Sequence, residues 1–234
     1  MRGHPLVRHR PAVLLLVLTA AMASVLQAGA PDPDDYPIRK FLAQDDTQHA
    51  YGATRRIEAE SGHRAAWLEA VTEYSPESGF RFQVTGEGGS DSIRSKVLKA
   101  VLEGEQEVIA RGEAGRSSLG RANYSFQSAG IDAAGLANVI VSPRRNERTL
   151  VVGKMFLRPE DGLLVRLQGR LAKSPSFWIK DVEIVRSYDR IAGAVVPVAL
   201  ESKAQVRFLG LATLRMTYRY FEIDGHPVPS TPTR

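Results

Sequence analysis

One feature constrains the fold more than any other: the long alternation of apolar and polar residues between Arg148 and Asp224. Leu214, Met216, Tyr218 and Tyr220 alternate with Thr213, Arg215, Thr217 and Arg219. Upstream, Val196, Val198, Leu200, Ala204 and Val206 oppose Glu201, Lys203, Gln205 and Arg207, and Leu163, Val165, Leu167 and Leu171 oppose Arg166, Gln168 and Arg170. A period of two puts one set on each side of an extended strand. One dry face and one wet face is the pattern of antiparallel sheets. Helix bundles and buried parallel sheets are thereby excluded for this third of the chain.

Earlier segments extend the pattern. Tyr51 to Glu60 reads as a strand anchored by Ile57, ended by the turn pair Ser61-Gly62. Ala65 to Tyr74 contains good helix formers, but Trp67, Val71, Thr72 and Tyr74 favour sheet and turns bound it on both sides. Phe80, Phe82 and Val84 alternate with Arg81, Gln83 and Thr85. These three strands make a meander. GEGGS at 86–90 then reads as a flexible break, with Ser90 or Asp91 as a helix cap. From Ser92 to Arg111, Ile93, Val97, Leu98, Val101, Leu102, Val108 and Ile109 recur at spacings of three and four, and Gly112 stops the helix. Residues 112–136 are rich in Gly, Ser and Ala and read as a loop with a helical turn. Strands resume at Asn138–Val141 and Thr149–Leu157.

The ends read differently. Arg2, Arg8 and Arg10 precede the uncharged apolar run from Ala12 to Leu26, and small residues follow at Ala28, Gly29 and Ala30. That is the order of a secretory signal peptide, cut near Ala28 or Ala30, with a retained anchor as the alternative. Residues 31–49 form an arm or short helix, 50–225 a single domain containing helix 91–111, and 226–234 a proline-bearing disordered tail. The chain has no cysteine, which removes disulfides, thiol catalysis and a lipid-bearing cysteine anchor, and suits a bacterial periplasm. Losing three leader arginines takes the formal charge from +5 to +2, so no basic footprint for nucleic acid is expected.

The segments GFRFQV, VSPRR and IAGAVVPVALES, within the late stretch FWIKDVEIVRSYDRIAGAVVPVALESKAQVRFLGLATLRMTYRYFEIDG, resemble the outer-membrane lipoprotein-sorting family, the LolA/LolB-like periplasmic carriers. The resemblance covers most of residues 50–224. It implies a mainly β fold: an open, strongly curved antiparallel half-barrel of about 8–11 strands, with a helical lid or plug inserted after the third. It also implies that acyl chains are held between sheet and helices, and that an inner-membrane transporter or outer-membrane receptor is a partner. No individual functional residue carries over.

The residues themselves point to no catalysis and no cofactor. His49, His63 and His226 lack metal-ligand spacing. No G-x-S-x-G elbow is present. GEGGS before a helix lacks the Lys-Ser/Thr of a phosphate loop. Asp45–Asp46 and the trio Glu103, Glu105 and Glu107 read as exposed charges. A candidate apolar pocket is drawn from Trp67, Phe80, Phe82, Val84, Leu98, Val101, Leu102, Leu167, Val198, Leu200, Leu214, Met216 and Tyr218, with Trp178 beside them. Each of these is also a plausible core residue; collectively they exceed what one helix covers. The expected function is a monomeric periplasmic carrier or chaperone for lipid or a lipidated protein. A non-catalytic interaction module of the cell envelope is the alternative, with an enzyme on lipid or glycan behind it.

Overall fold

The computed structural model describes residues 35–44, 48–174, 179–207 and 210–229. The leader, Asp45–Asp46, Trp178 and residues 230–234 lie outside them. The elements are α1 (Tyr36–Leu42), β1 (Tyr51–Ser61), β2 (Arg64–Ser75), β3 (Gly79–Gly89), helix α2, then β4 (Tyr124–Ile131), β5 (Ala137–Pro143), β6 (Val151–Leu157), β7 (Leu164–Leu171), β8 (Ile179–Ile191), β9 (Ala194–Val206), β10 (Gly210–Ile223) and β11 (His226–Pro227). Helix α2 is continuous through Asp91–Ile93, Arg94–Leu98 and Lys99–Ala110, the middle segment wound as a π turn.

All strands belong to one antiparallel sheet in the order β3-β2-β1-β10-β9-β8-β7-β6-β5-β4, with β11 beside β10. The two meanders, β1–β3 and β4–β10, are joined by pairing of β1 with β10. The terminal strands β3 and β4 are not paired to each other, so the sheet is open. The expected helical insertion after the third strand is present. Hairpins close on residues suited to the sheet's right-handed twist: Ala192 and Gly193 both have positive φ (48° and 88°) between β8 and β9.

The sheet is curled. In a flat sheet β4 and β8 would be about 19 Å apart, yet Tyr124 of β4 lies within electrostatic reach of Tyr188 and Arg186 of β8, and Tyr124 and Tyr188 share one hydrophobic cluster. The concave side holds two cores. One packs Ile57, Leu68, Phe80 and Met216 under Ile93, Leu98 and Leu102 of α2. The other joins Val139, Val141, Met155, Leu157 and Leu167 with Ile38 of α1.

Three segments differ from the expectation. The glycine run after Phe82 is not a flexible break but the end of β3, paired to β2 through Glu69↔Gly86, Trp67↔Gly88 and Ala66↔Gly89. Glycine is required because the Trp67 indole lies across the strand: a Cβ on Gly88 would sit 2.7 Å from its Nε1. Residues 124–131 are strand β4 rather than loop, anchored by buried Tyr124; serines and a glycine concealed the alternation. The start of the tail is also ordered, since His226 and Pro227 pair with Ile223 and Glu222.

Candidate functional site

The strand registers place one row of residues across the concave face: Leu68, Ile57, Met216, Leu200, Arg186, Leu167, Met155 and Val139, in that order from β2 to β5. Leu68, Ile57 and Met216 are buried at one end, and Leu167, Met155 and Val139 at the other. Leu200 and Arg186 between them are only half-buried. The neighbouring positions repeat this: Ala59 is buried, Leu214 and Ser202 beside it are half-buried, and Ile184 is buried again. In an ordinary sheet the middle strands are the most covered. Here burial falls in the middle, because α2 packs on β1–β3 and α1 on β6. The result is a half-covered strip of the concave face along β9 and β10, made by Leu200, Ser202, Ala204 and Leu214.

Of the sequence-derived pocket residues, Phe80, Leu98, Leu102 and Met216 are buried in the core under α2, with Phe82, Val84, Val101, Leu214 and Tyr218 half-buried against it. Leu200 touches both cores, and Leu167 belongs to the other. Val198 is half-buried at a register shift between β8 and β9. Trp67 stands apart. It lies on the opposite face, with the Arg56 guanidinium 4.6 Å above its ring.

Beside this strip lies a polar cluster that the alternation alone did not reveal. Arg55 occupies the buried phase of β1 between Ala53 and Ile57, and its side chain is 2% exposed. Its guanidinium donates to both carboxylate oxygens of Glu105 on α2, Nη1 to Oε2 at 2.5 Å and Nη2 to Oε1 at 3.0 Å, and to the Tyr51 hydroxyl. Phe80 and Tyr218 flank it at 5.0 and 4.8 Å, so the cation sits among aromatic faces. Glu105 is therefore not the exposed charge expected, whereas Glu103 and Glu107 are exposed. Burial works against the charged Arg55, and the hydrogen bonds and charge of Glu105 more than offset it, holding its pKa well above the ordinary range. Burial raises Tyr51, Tyr218 and Tyr220 as well. All three remain neutral phenols at neutral pH.

Arg186 is the second cation. Its partners are Tyr188 first, through charge interaction and a side-chain hydrogen bond, then Tyr218 and, more remotely, Glu105. Among the described residues it forms no ion pair, and its buried Nε has no hydrogen-bond partner. The signal for both arginines was phase: Arg55 and Arg186 stand where alternation demands apolar residues. Elsewhere, His49 is bound through Nδ1 to Asp224 at 2.6 Å, which ties the segment before β1 to the β10–β11 turn.

Chemically, this face offers an apolar floor, an ion pair and a second guanidinium that is bonded to a tyrosine hydroxyl but matched by no carboxylate of its own. It defines an open antiparallel half-barrel with a partly covered concave surface. No protein-family model matches the sequence, and no curated protein matches it. Among solved structures, a DUF1329 family protein from Desulfovibrio piger is similar to this chain, at 10% identity and a TM-score of 0.39, covering 80% of this chain and 90% of that one.

Proposed function

We propose that this protein is an exported carrier that holds acyl chains, of free lipid or of a lipid-modified protein, on the concave face of its sheet. The observation that supports this reading is the inverted burial profile: the central strands β9 and β10 present half-buried Leu200, Ala204 and Leu214 between two buried cores. Apolar surface in such a position is stabilised by any hydrocarbon laid along it, at about 0.8 kcal/mol per CH₂ removed from water. Burying about eight methylenes yields some 6 kcal/mol before the costs of association are subtracted. Release then needs only a receiver with more apolar area, and no step forms or breaks a covalent bond.

The test is native mass spectrometry of protein recovered from the periplasm, together with titration by a fluorescent fatty acid. Co-purified lipid and saturable binding are the expected results. Absence of the protein from the periplasm, or absence of both lipid and binding, overturns the proposal. A stoichiometric protein partner with no lipid would point instead to an envelope interaction module.

A further inference from the structure

Arg186 is an unusual residue to find in an apolar row. Its cross-strand neighbours are Leu200 on β9 and Leu167 on β7, and Ile184 and Tyr188 precede and follow it on the same phase of β8. None of these carries charge. The one carboxylate of the cluster, Glu105, is committed with both oxygens to Arg55. Two guanidiniums thus share one carboxylate on this part of the face, and one positive charge is left over. Buried cations are normally matched by an anion, because removing an uncompensated charge from water is costly. Yet Arg186 is not sealed off: its Nε is buried, while the residue as a whole is half-buried, as is Leu200 across the strand from it. Arg166 also has a buried, unpartnered Nε, but it lies on the other face, 4.1 Å from the Phe156 ring, where an aromatic partner supports it.

Resting on the carrier reading above, we infer that the ligand is an anionic amphiphile: its carboxylate or phosphate group lies on the Arg186 guanidinium and its tail runs along β9 and β10. A planar guanidinium offers paired N–H donors to such a group and forms charge-assisted bonds stronger than neutral ones. The Tyr188 hydroxyl, bonded to Arg186, and the Tyr218 hydroxyl lie within its electrostatic reach. Tyr218 cannot compete as an anion, since burial raises its pKa. The apolar floor gives affinity, and the arginine selects the charged head and fixes which way the ligand lies.

The inference is tested by calorimetric titration of the full mature chain with oleate, oleyl alcohol and inorganic phosphate, for wild type, Arg186→Gln and Arg186→Lys. Wild type is expected to bind oleate at least tenfold more tightly than oleyl alcohol and phosphate alone only weakly. Arg186→Gln should bind both oleyl ligands equally, near the wild-type affinity for the alcohol, and Arg186→Lys should keep part of the preference. Equal wild-type affinities for oleate and oleyl alcohol overturn the inference and leave the carrier reading standing, a comparison that needs no variant to fold. A preference that survives in folded Arg186→Gln overturns it too. Phosphate binding as tight as oleate binding would assign the arginine to a small anion and also overturn it. If neither oleyl ligand binds, the carrier reading itself falls.

Discussion

The Arg55–Glu105 pair makes an asymmetric prediction about stability. Arg55 is 2% exposed and Glu105 32%, so the two partners are not equally dependent on each other. Truncating Glu105 to Ala strands a guanidinium inside the core, with the Tyr51 hydroxyl and the aromatic faces of Phe80 and Tyr218 as its remaining company. Breaking a buried pair from one side costs about 3–5 kcal/mol; the partial exposure of Glu105 and the aromatic contacts place this case near the lower end, about 3 kcal/mol. Arg55→Met should behave otherwise. Methionine fills a similar volume without a charge, and the released Glu105 carboxylate can turn to water, so the cost should stay near about 1 kcal/mol. Glu105→Gln, which keeps an acceptor but loses the charge, should fall between. Urea unfolding at pH 7, followed by circular dichroism, reads all three. For a domain of this size the Ala variant should also melt about 6–12 °C lower. The reasoning is refuted if Arg55→Met costs as much as Glu105→Ala, for then the cation would be wanted for its packing and not merely tolerated for its partner.

Tyr124→Phe removes the hydroxyl that accepts the buried Val151 N–H at 3.0 Å and should cost about 1–3 kcal/mol in the same urea assay. Gly153→Ala should destabilise by at least about 2 kcal/mol or abolish soluble expression, because the added Cβ would lie 2.1 Å from the Gln168 carbonyl oxygen across the strand; thermal melting of purified protein checks it. Asp161 is held well below the ordinary carboxylate range, first by its hydrogen bonds from Arg158. Its contribution is therefore fully present above the unfolded value of about 4 and lost as pH falls from there toward the folded value. The melting-temperature gap between wild type and Asp161→Asn should accordingly stay constant from neutral pH down to about pH 5 and close only in stronger acid.

The architecture was legible wherever side chains alternate cleanly. The strands around Ile57, Phe82, Leu167, Leu200 and Met216 emerge close to the places their periodicity predicts, and the apolar spacing from Ile93 to Ile109 does produce a helix. Strand β4 was hidden because Ser125, Gln127, Ser128 and Gly130 carry almost no hydropathy contrast; only its pairing with β5 defines it. The sheet order could not be read either, since nothing local to β1 or β10 announces that the two meet. Trp67 shows a further blind spot. Its strand was assigned, but an aromatic residue is at home on either face, and what settles its side is the pair of glycines it covers.

The charged residues carry a different lesson. An arginine in the dry phase of a strand contradicts the pattern around it, and such contradictions mark places where something other than packing has chosen the residue. Arg55 breaks the run Ala53, Ile57, Ala59, and Arg186 breaks the run Ile184, Tyr188. The two breaks lie on strands far apart in sequence, and the fold brings them to opposite sides of the same strip, β1 and β8, where Tyr218 of β10 interacts with both. One break is explained inside the protein, by Glu105. The other has no anion of its own, and the surface beside it is the stretch of concave face that the two helices leave half-covered. The inferred amphiphile would match that charge and cover that floor together, which makes the head-group preference at Arg186 the sharpest measurement of the reading.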